Sequence, residues 1–97
     1  MPTYIALIDW TDQGVRDFKS SVDRYEAARD RLEGLGVRFT DVHWTLGAHD
    51  IVAVIDAPDE ETLAAALLVV AAQGNIRTTT LRAFTADEMR SVIGKVG

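Results

Sequence analysis

Apolar and polar positions alternate along this chain with a period that changes from segment to segment. From Thr3 to Trp10 the run carries Tyr4, Ile5, Leu7 and Ile8, and it closes at Thr11-Asp12-Gln13-Gly14. β-forming side chains bounded by turn formers predict a first strand there. Residues 11–20 read as a turn with a short helical stretch around Val15 and Phe18. Beyond it, Val22, Tyr25, Ala28, Leu32 and Leu35 recur at steps of three and four, with Asp23, Arg24, Asp30 and Arg31 between them. That is the period of an amphipathic helix. Ser20 or Ser21 offers a hydroxyl to cap its start, and Gly34 or Gly36 a left-handed residue to end it.

The second half continues the pattern. Val37–Leu46 and His49–Asp56 predict two strands joined by a two-residue turn, Gly47-Ala48, with glycine first as a type II′ turn requires. Ala57-Pro58-Asp59-Glu60-Glu61 opens a helix, with Pro58 tolerated in the first turn and three acids at the positive end. Leu63–Ala72 is ten consecutive apolar residues, ended by Gly74. Asn75–Phe84 predicts a fourth strand. Thr85-Ala86-Asp87-Glu88 is a capping box that opens a short last helix bearing Met89, Val92 and Ile93. The order is β-α-β-β-α-β plus one helix over a single domain, residues 1–97. It predicts an α+β, ferredoxin-like fold, with right-handed crossovers placing both helices on one face of a four-stranded antiparallel sheet.

The strands do not alternate as a sheet with one wet face should. Tyr4, Ala6, Ile8 and Trp10 share one face of the first strand, yet Ile5 and Leu7 occupy the other. The third strand repeats this, with Ile51, Ala53 and Ile55 opposed by Val52 and Val54. The apolar helix over Leu63–Ala72 also asks for cover on more than one side. A terminal helix with about three apolar side chains is too short to cover a sheet face. A homodimer or larger homo-oligomer packed sheet on sheet is the expected state.

Composition narrows the chemistry. With 47% apolar and 26% charged residues the chain is of ordinary globular type. The absence of cysteine removes disulfides, thiolate metal sites and a cysteine nucleophile. Fifteen acids against ten bases, a net charge of −5, argue against nucleic-acid or anionic-membrane binding. No apolar run reaches the roughly 18 residues of a membrane span, and no basic segment precedes an apolar run at the start. A cytoplasmic protein is expected.

Candidate chemistry rests on few residues. His43 and His49 are the only histidines. The two-residue turn pairs 46 with 49, 44 with 51 and 43 with 52, which puts the two rings on opposite faces and excludes a shared metal. No metal site is expected. Asp50 lies diagonally across from His43, so His43, His49 and Asp50 are the candidate catalytic groups, a His–Asp pair suited to proton transfer. Surface pairing is the structural alternative. Arg77 and Arg82, on opposite faces of the fourth strand, could hold a carboxylate or phosphate, or simply guard a sheet edge. Trp10 joins His49, Arg77 and Arg82 as a candidate ligand contact, although tryptophan more often fills a core or interface. No cofactor is expected; haem on one histidine is the alternative.

Leu46-Gly47-Ala48-His49-Asp50-Ile51-Val52 and Gln73-Gly74-Asn75-Ile76-Arg77-Thr78-Thr79-Thr80-Leu81-Arg82-Ala83-Phe84-Thr85 resemble the GYD domain family of small bacterial and archaeal proteins. Tyr4–Gly14 and Asp56-Ala57-Pro58-Asp59-Glu60 resemble it too, so the likeness covers nearly the whole chain. His49 stands where the family's tyrosine is expected, and a role resting on that phenol does not carry over. The resemblance implies a kinship with dimeric α+β-barrel proteins, whose subunits pair through their sheets. It implies no catalytic residues. That superfamily includes cofactor-free monooxygenases, haem-degrading enzymes and small-ligand sensors, among which fold does not choose. Three functions therefore stand: an oligomeric module that binds or senses a small molecule, a small barrel-type enzyme, and a ligand-free assembly or interaction protein.

Overall fold

The computed structural model describes residues 1–97. Strand β1 spans Thr3–Trp10, short helix α1 Asp12–Arg16, a 3-10 turn Phe18–Ser20 and helix α2 Ser21–Glu33. Strands β2 (Arg38–Trp44) and β3 (Ile51–Asp56), helix α3 (Glu60–Ala71), strand β4 (Ile76–Ala83) and helix α4 (Ala86–Gly94) follow. The sheet order is β2-β3-β1-β4 and every neighbour is antiparallel. This is the ferredoxin-like arrangement that the element order predicts.

One sheet face carries the core. Tyr4, Ala6 and Ile8 of β1 and Ile51, Ala53 and Ile55 of β3 are buried beneath Leu32 and Val37 of the α2 segment and Leu63 and Ala66 of α3. The other face carries Ile5 and Leu7 of β1, Val52 and Val54 of β3, and Leu81 of β4, which lies opposite Ile5. Arg38, Asp41, His43, Asp56, Asp9 and Arg77 surround them. No helix lies over this face within the subunit. The molecule is only 18 Å thick along its shortest axis, the depth of one sheet and one helical layer. α4 projects from the end of β4, buries none of its residues, and leaves Met89, Val92 and Ile93 exposed, with Val96 exposed just beyond its end. The radius of gyration is 14.6 Å, against about 12.5 Å for a compact chain of this length.

The ends of the helices follow local chemistry. Gly36, at φ 79°, turns the chain after α2, and its N–H and that of Val37 satisfy the carbonyls of Glu33 and Leu32. Gly34 stays helical. Ser20 precedes α2 but its hydroxyl turns back to Asp17 instead of capping the helix. Pro58 stands before α3 rather than inside its first turn, and Asp59 caps the helix by accepting from the Thr62 N–H at 2.7 Å. At α4, Thr85 and Glu88 form the reciprocal capping box.

Two of these caps titrate. The Thr62 amide holds the Asp59 carboxyl below its ordinary 3.8, and the Thr85 amide holds Glu88 below its ordinary 4.5. Both folded values are depressed, so each contribution is present above the unfolded value and is lost as pH falls through the folded one. Thermal melts of Asp59→Asn and Glu88→Gln are expected to flatten the fall in Tm below about pH 4.5 relative to the parent chain. An unchanged profile would separate the caps from acid stability. Leu63, 5% exposed, anchors α3 to the sheet. Leu63→Ala is expected to cost about 2–4 kcal/mol in urea unfolding.

The hairpin differs from its two-residue prediction. β2 ends at Trp44 and β3 begins at Ile51, so six residues, Thr45–Asp50, form the connection. Thr45 donates from its N–H to the Asp50 carbonyl at 2.8 Å and from its hydroxyl to the His49 carbonyl at 2.6 Å. Asp50 N–H turns to the Ile8 carbonyl of β1 instead of extending the hairpin. The pairs His43–Val52 and Trp44–Ile51 still form as expected, while a bulge at Thr40 shifts the register below them.

Candidate functional site

The end of β1 gathers three segments. Trp10 N–H donates to Asp50 Oδ2 at 2.9 Å, which locks the hairpin loop onto β1. Thr11 N–H donates to the Asn75 carbonyl at 3.0 Å and its hydroxyl to the Gly74 carbonyl at 2.6 Å. Gln13 Nε2 donates to the Gln73 carbonyl and to Asn75 Oδ1 at 3.0 and 2.8 Å. Gly14 brings α1 so close to this turn that a Cβ would lie 2.0 Å from the Asn75 oxygen. Three of the stretches that carry the family resemblance, 4–14, 46–52 and 73–85, therefore meet at one place.

On the open face the loop delivers His49 to Asp9. The His49 Nδ1–H donates to Asp9 Oδ1 at 3.2 Å, since a carboxylate can only accept, and both side chains are about one-third exposed. This bond leaves Nε2 as the free ring nitrogen. Arg77 is the Cα partner of Asp9 across β1 and β4, yet it forms no ion pair. His43 also stands on this face, and its Nε2 lies 3.0 Å from Asp41. The expectations of opposite faces and of a His43–Asp50 pair are both corrected. A six-residue loop, unlike a tight turn, frees His49 from strand parity, and Asp50 is taken by Trp10 N–H. No three His, Asp or Glu side chains converge to hold a metal ion.

Between the sheet and the helices lies a cavity of about 70 Å³. Ile8, Ile51 and Ala53 form its floor, Tyr25 and Ala28 of α2 and Val70 of α3 its roof. Tyr25 meets Phe39 and Trp44 edge to face at 5.5 and 5.8 Å, and Trp44 Nε1–H donates to Ser21 Oγ at 3.0 Å. The small side chains Ala28 and Ala53 leave the space. Its polar wall sits at the β1 end, where Trp10, Arg24, Gln73 and Asn75 line it. Arg24 donates to the Asp17 and Gly14 carbonyls at 2.6 and 3.1 Å, which fixes its guanidinium beside the cavity. Trp10 Nε1–H is buried and has no acceptor.

Arg82 lies elsewhere. Its guanidinium stacks 4.5 Å from the Phe84 ring centroid and 5.6 Å from that of Tyr4, and it donates to the Thr3 carbonyl at 3.2 Å and to the Ala83 carbonyl. Trp10, His49, Arg77 and Arg82 thus do not converge. Trp10 faces the cavity wall, His49 and Arg77 the open sheet face, and Arg82 the far end of β1. Sequence reasoning passed over Asp9, whose parity with Ile5 and Leu7 was the available signal. It also passed over Arg24, Gln73 and Asn75, for which only the tertiary contacts speak.

The family model described as GYD domain matches residues 4–93. A protein of Thermus thermophilus named glutamine synthetase and cystathionine beta-lyase binding protein is 34% identical over 90 residues, covering 92% of this chain and 95% of that protein. No solved structure matches the chain. By the extent of both likenesses, the chain belongs to the GYD domain family.

Proposed function

We propose that this chain is a cytoplasmic homo-oligomeric module that pairs with a second copy through its open sheet face and binds metabolic enzymes through α4. The observation that carries the reading is the uncovered apolar surface. Ile5, Leu7, Val52, Val54 and Leu81 form a patch rimmed by charge, the anatomy of an interface core and its rim. Four strands about 4.8 Å apart and six to eight residues long give a footprint of roughly 450 Å² per subunit, near the lower bound for a stable pair. α4 adds Met89, Val92 and Ile93 at helical spacing, with Ile93 58% exposed. The relative's name supports protein partners of the kind it states, a glutamine synthetase and a cystathionine beta-lyase.

No helix of the chain is long and apolar enough to cross a membrane, and the reading invokes no cofactor. It is tested by calorimetric titration of the chain into purified glutamine synthetase and cystathionine beta-lyase from its own host. Saturable binding to at least one enzyme is expected, and Ile93→Asp should weaken it at least tenfold while leaving the subunit count unchanged. Heat-silent mixing with both enzymes, confirmed by sedimentation, would end the enzyme-binding half of the proposal.

A further inference from the structure

We infer that the cavity between sheet and helices is a binding site for a short branched aliphatic monocarboxylate. Three observations converge on that chemistry. The space is about 70 Å³, near half of the roughly 150 Å³ that admits benzene in an apolar protein interior, which suits a branched group of about four carbons. Its walls are predominantly hydrophobic, with Ile8, Ile51, Phe39 and Val42 among them. The charge of the lining has one sign. In a chain with fifteen acids and ten bases, no Asp or Glu lines the cavity and Arg24 does.

The polar end offers donors to an anion. Arg24 uses N–H groups of Nη1 and Nη2 on backbone carbonyls, with the Ser20 hydroxyl at 3.5 Å and the Asp17 carboxylate at 3.7 Å. A guanidinium has five N–H donors, so capacity remains. Trp10 Nε1–H lacks any acceptor, and the Gln73 and Asn75 side chains stand on the same wall. Asn75 Oδ1 is occupied by Gln13, which leaves its NH₂ as the group turned to other partners. A carboxylate beside Arg24 accepts from this set, while the aliphatic branch enters between Ala28 and Ala53. A free amino acid of the same shape brings an ammonium group that finds no carboxylate in the wall. The site is thereby selective for acids over amino acids. It is independent of the protein-binding proposal, since its residues belong to the opposite sheet face.

Sodium isovalerate, with seven heavy atoms, is the probe, and the indole ¹H–¹⁵N resonances are the readout. Trp44→Phe assigns the Trp10 resonance. At constant ionic strength, the Trp10 indole is expected to shift saturably, with half-saturation in the millimolar range or below. Leucine should bind at least tenfold more weakly. Ala28→Leu, which fills the space without altering charge, should weaken isovalerate at least tenfold while retaining a cooperative melt. Arg24→Gln should do the same if the 11–20 segment stays folded. A Trp10 resonance that does not move up to about 20 mM isovalerate overturns the assignment. So does a saturable shift of equal midpoint in folded Ala28→Leu.

Discussion

Gly14→Ala is expected to lower stability by about 3 kcal/mol or more, a fall in Tm on the order of 12–20 °C for a domain of this size. The effect is one of volume and not of backbone torsion, because Gly14 sits within helix α1. The added methyl would meet the Asn75 oxygen at 2.0 Å, its carbonyl carbon at 2.9 Å and its Cα at 3.2 Å. These are backbone atoms, so no side chain can swing aside. The same oxygen accepts from Thr11 N–H at 3.0 Å, and Gln13 bonds the turn on either side. Making room therefore breaks the contacts that join α1, β1 and the α3–β4 turn. Gly94→Ala is the control: it meets nothing within 4 Å and should be neutral or slightly stabilising in α4. Urea unfolding of the two variants decides it, and a Gly14→Ala chain as stable as its parent would show that this junction is not rigid.

The second large effect is expected at Val54. It lies near the middle of the open face, on a central strand, paired with Ile5 on one side and Asp41 on the other. In an isolated subunit a lysine there reaches water, so the fold should survive. In a symmetric pair the substitution occurs twice, and even with Asp41 across the strand each ammonium group is stripped of water and brought towards its copy in the apolar centre of the seam. Val54→Lys should raise the dimer dissociation constant by about a thousandfold, equivalent to roughly 4 kcal/mol. Light scattering across a concentration series should then report a monomer where the parent chain reports a dimer. Leu68→Lys, on the outer side of α3 at a residue 71% exposed, should leave the mass unchanged. A parent chain that is monomeric at all concentrations would sink the pairing outright. A Val54→Lys chain that remains dimeric would move the interface to another surface.

Much of the architecture was legible because short-range patterns decided it. Thr3–Trp10 forms a strand over its predicted residues, Thr85–Glu88 forms its predicted capping box, and the helical spacing of Val22, Tyr25, Ala28 and Leu32 becomes α2. The two-sided apolar strands also appear as expected, with one side buried and the other uncovered. The misreadings share a cause. Glycine followed by alanine suggested a tight turn, but Thr45, His49 and Asp50 close a wider loop through bonds that include one to the Ile8 carbonyl, 42 residues away in sequence. Parity then lost its hold on His49. Trp10 and Asp50 likewise meet only because β1 lies beside β3.

From the residues alone came the ferredoxin-like order, the family and an uncovered apolar face, since periodicity, capping and composition act within a few residues of one another. Tertiary structure decided which groups meet: His49 with Asp9, Asp50 with Trp10, and Arg24 beside a cavity roofed by Ala28 and floored by Ala53. Those contacts join positions up to about forty residues apart or more. Their geometry depends on strand order, loop path and the gap between sheet and helices, and no local pattern encodes such a gap.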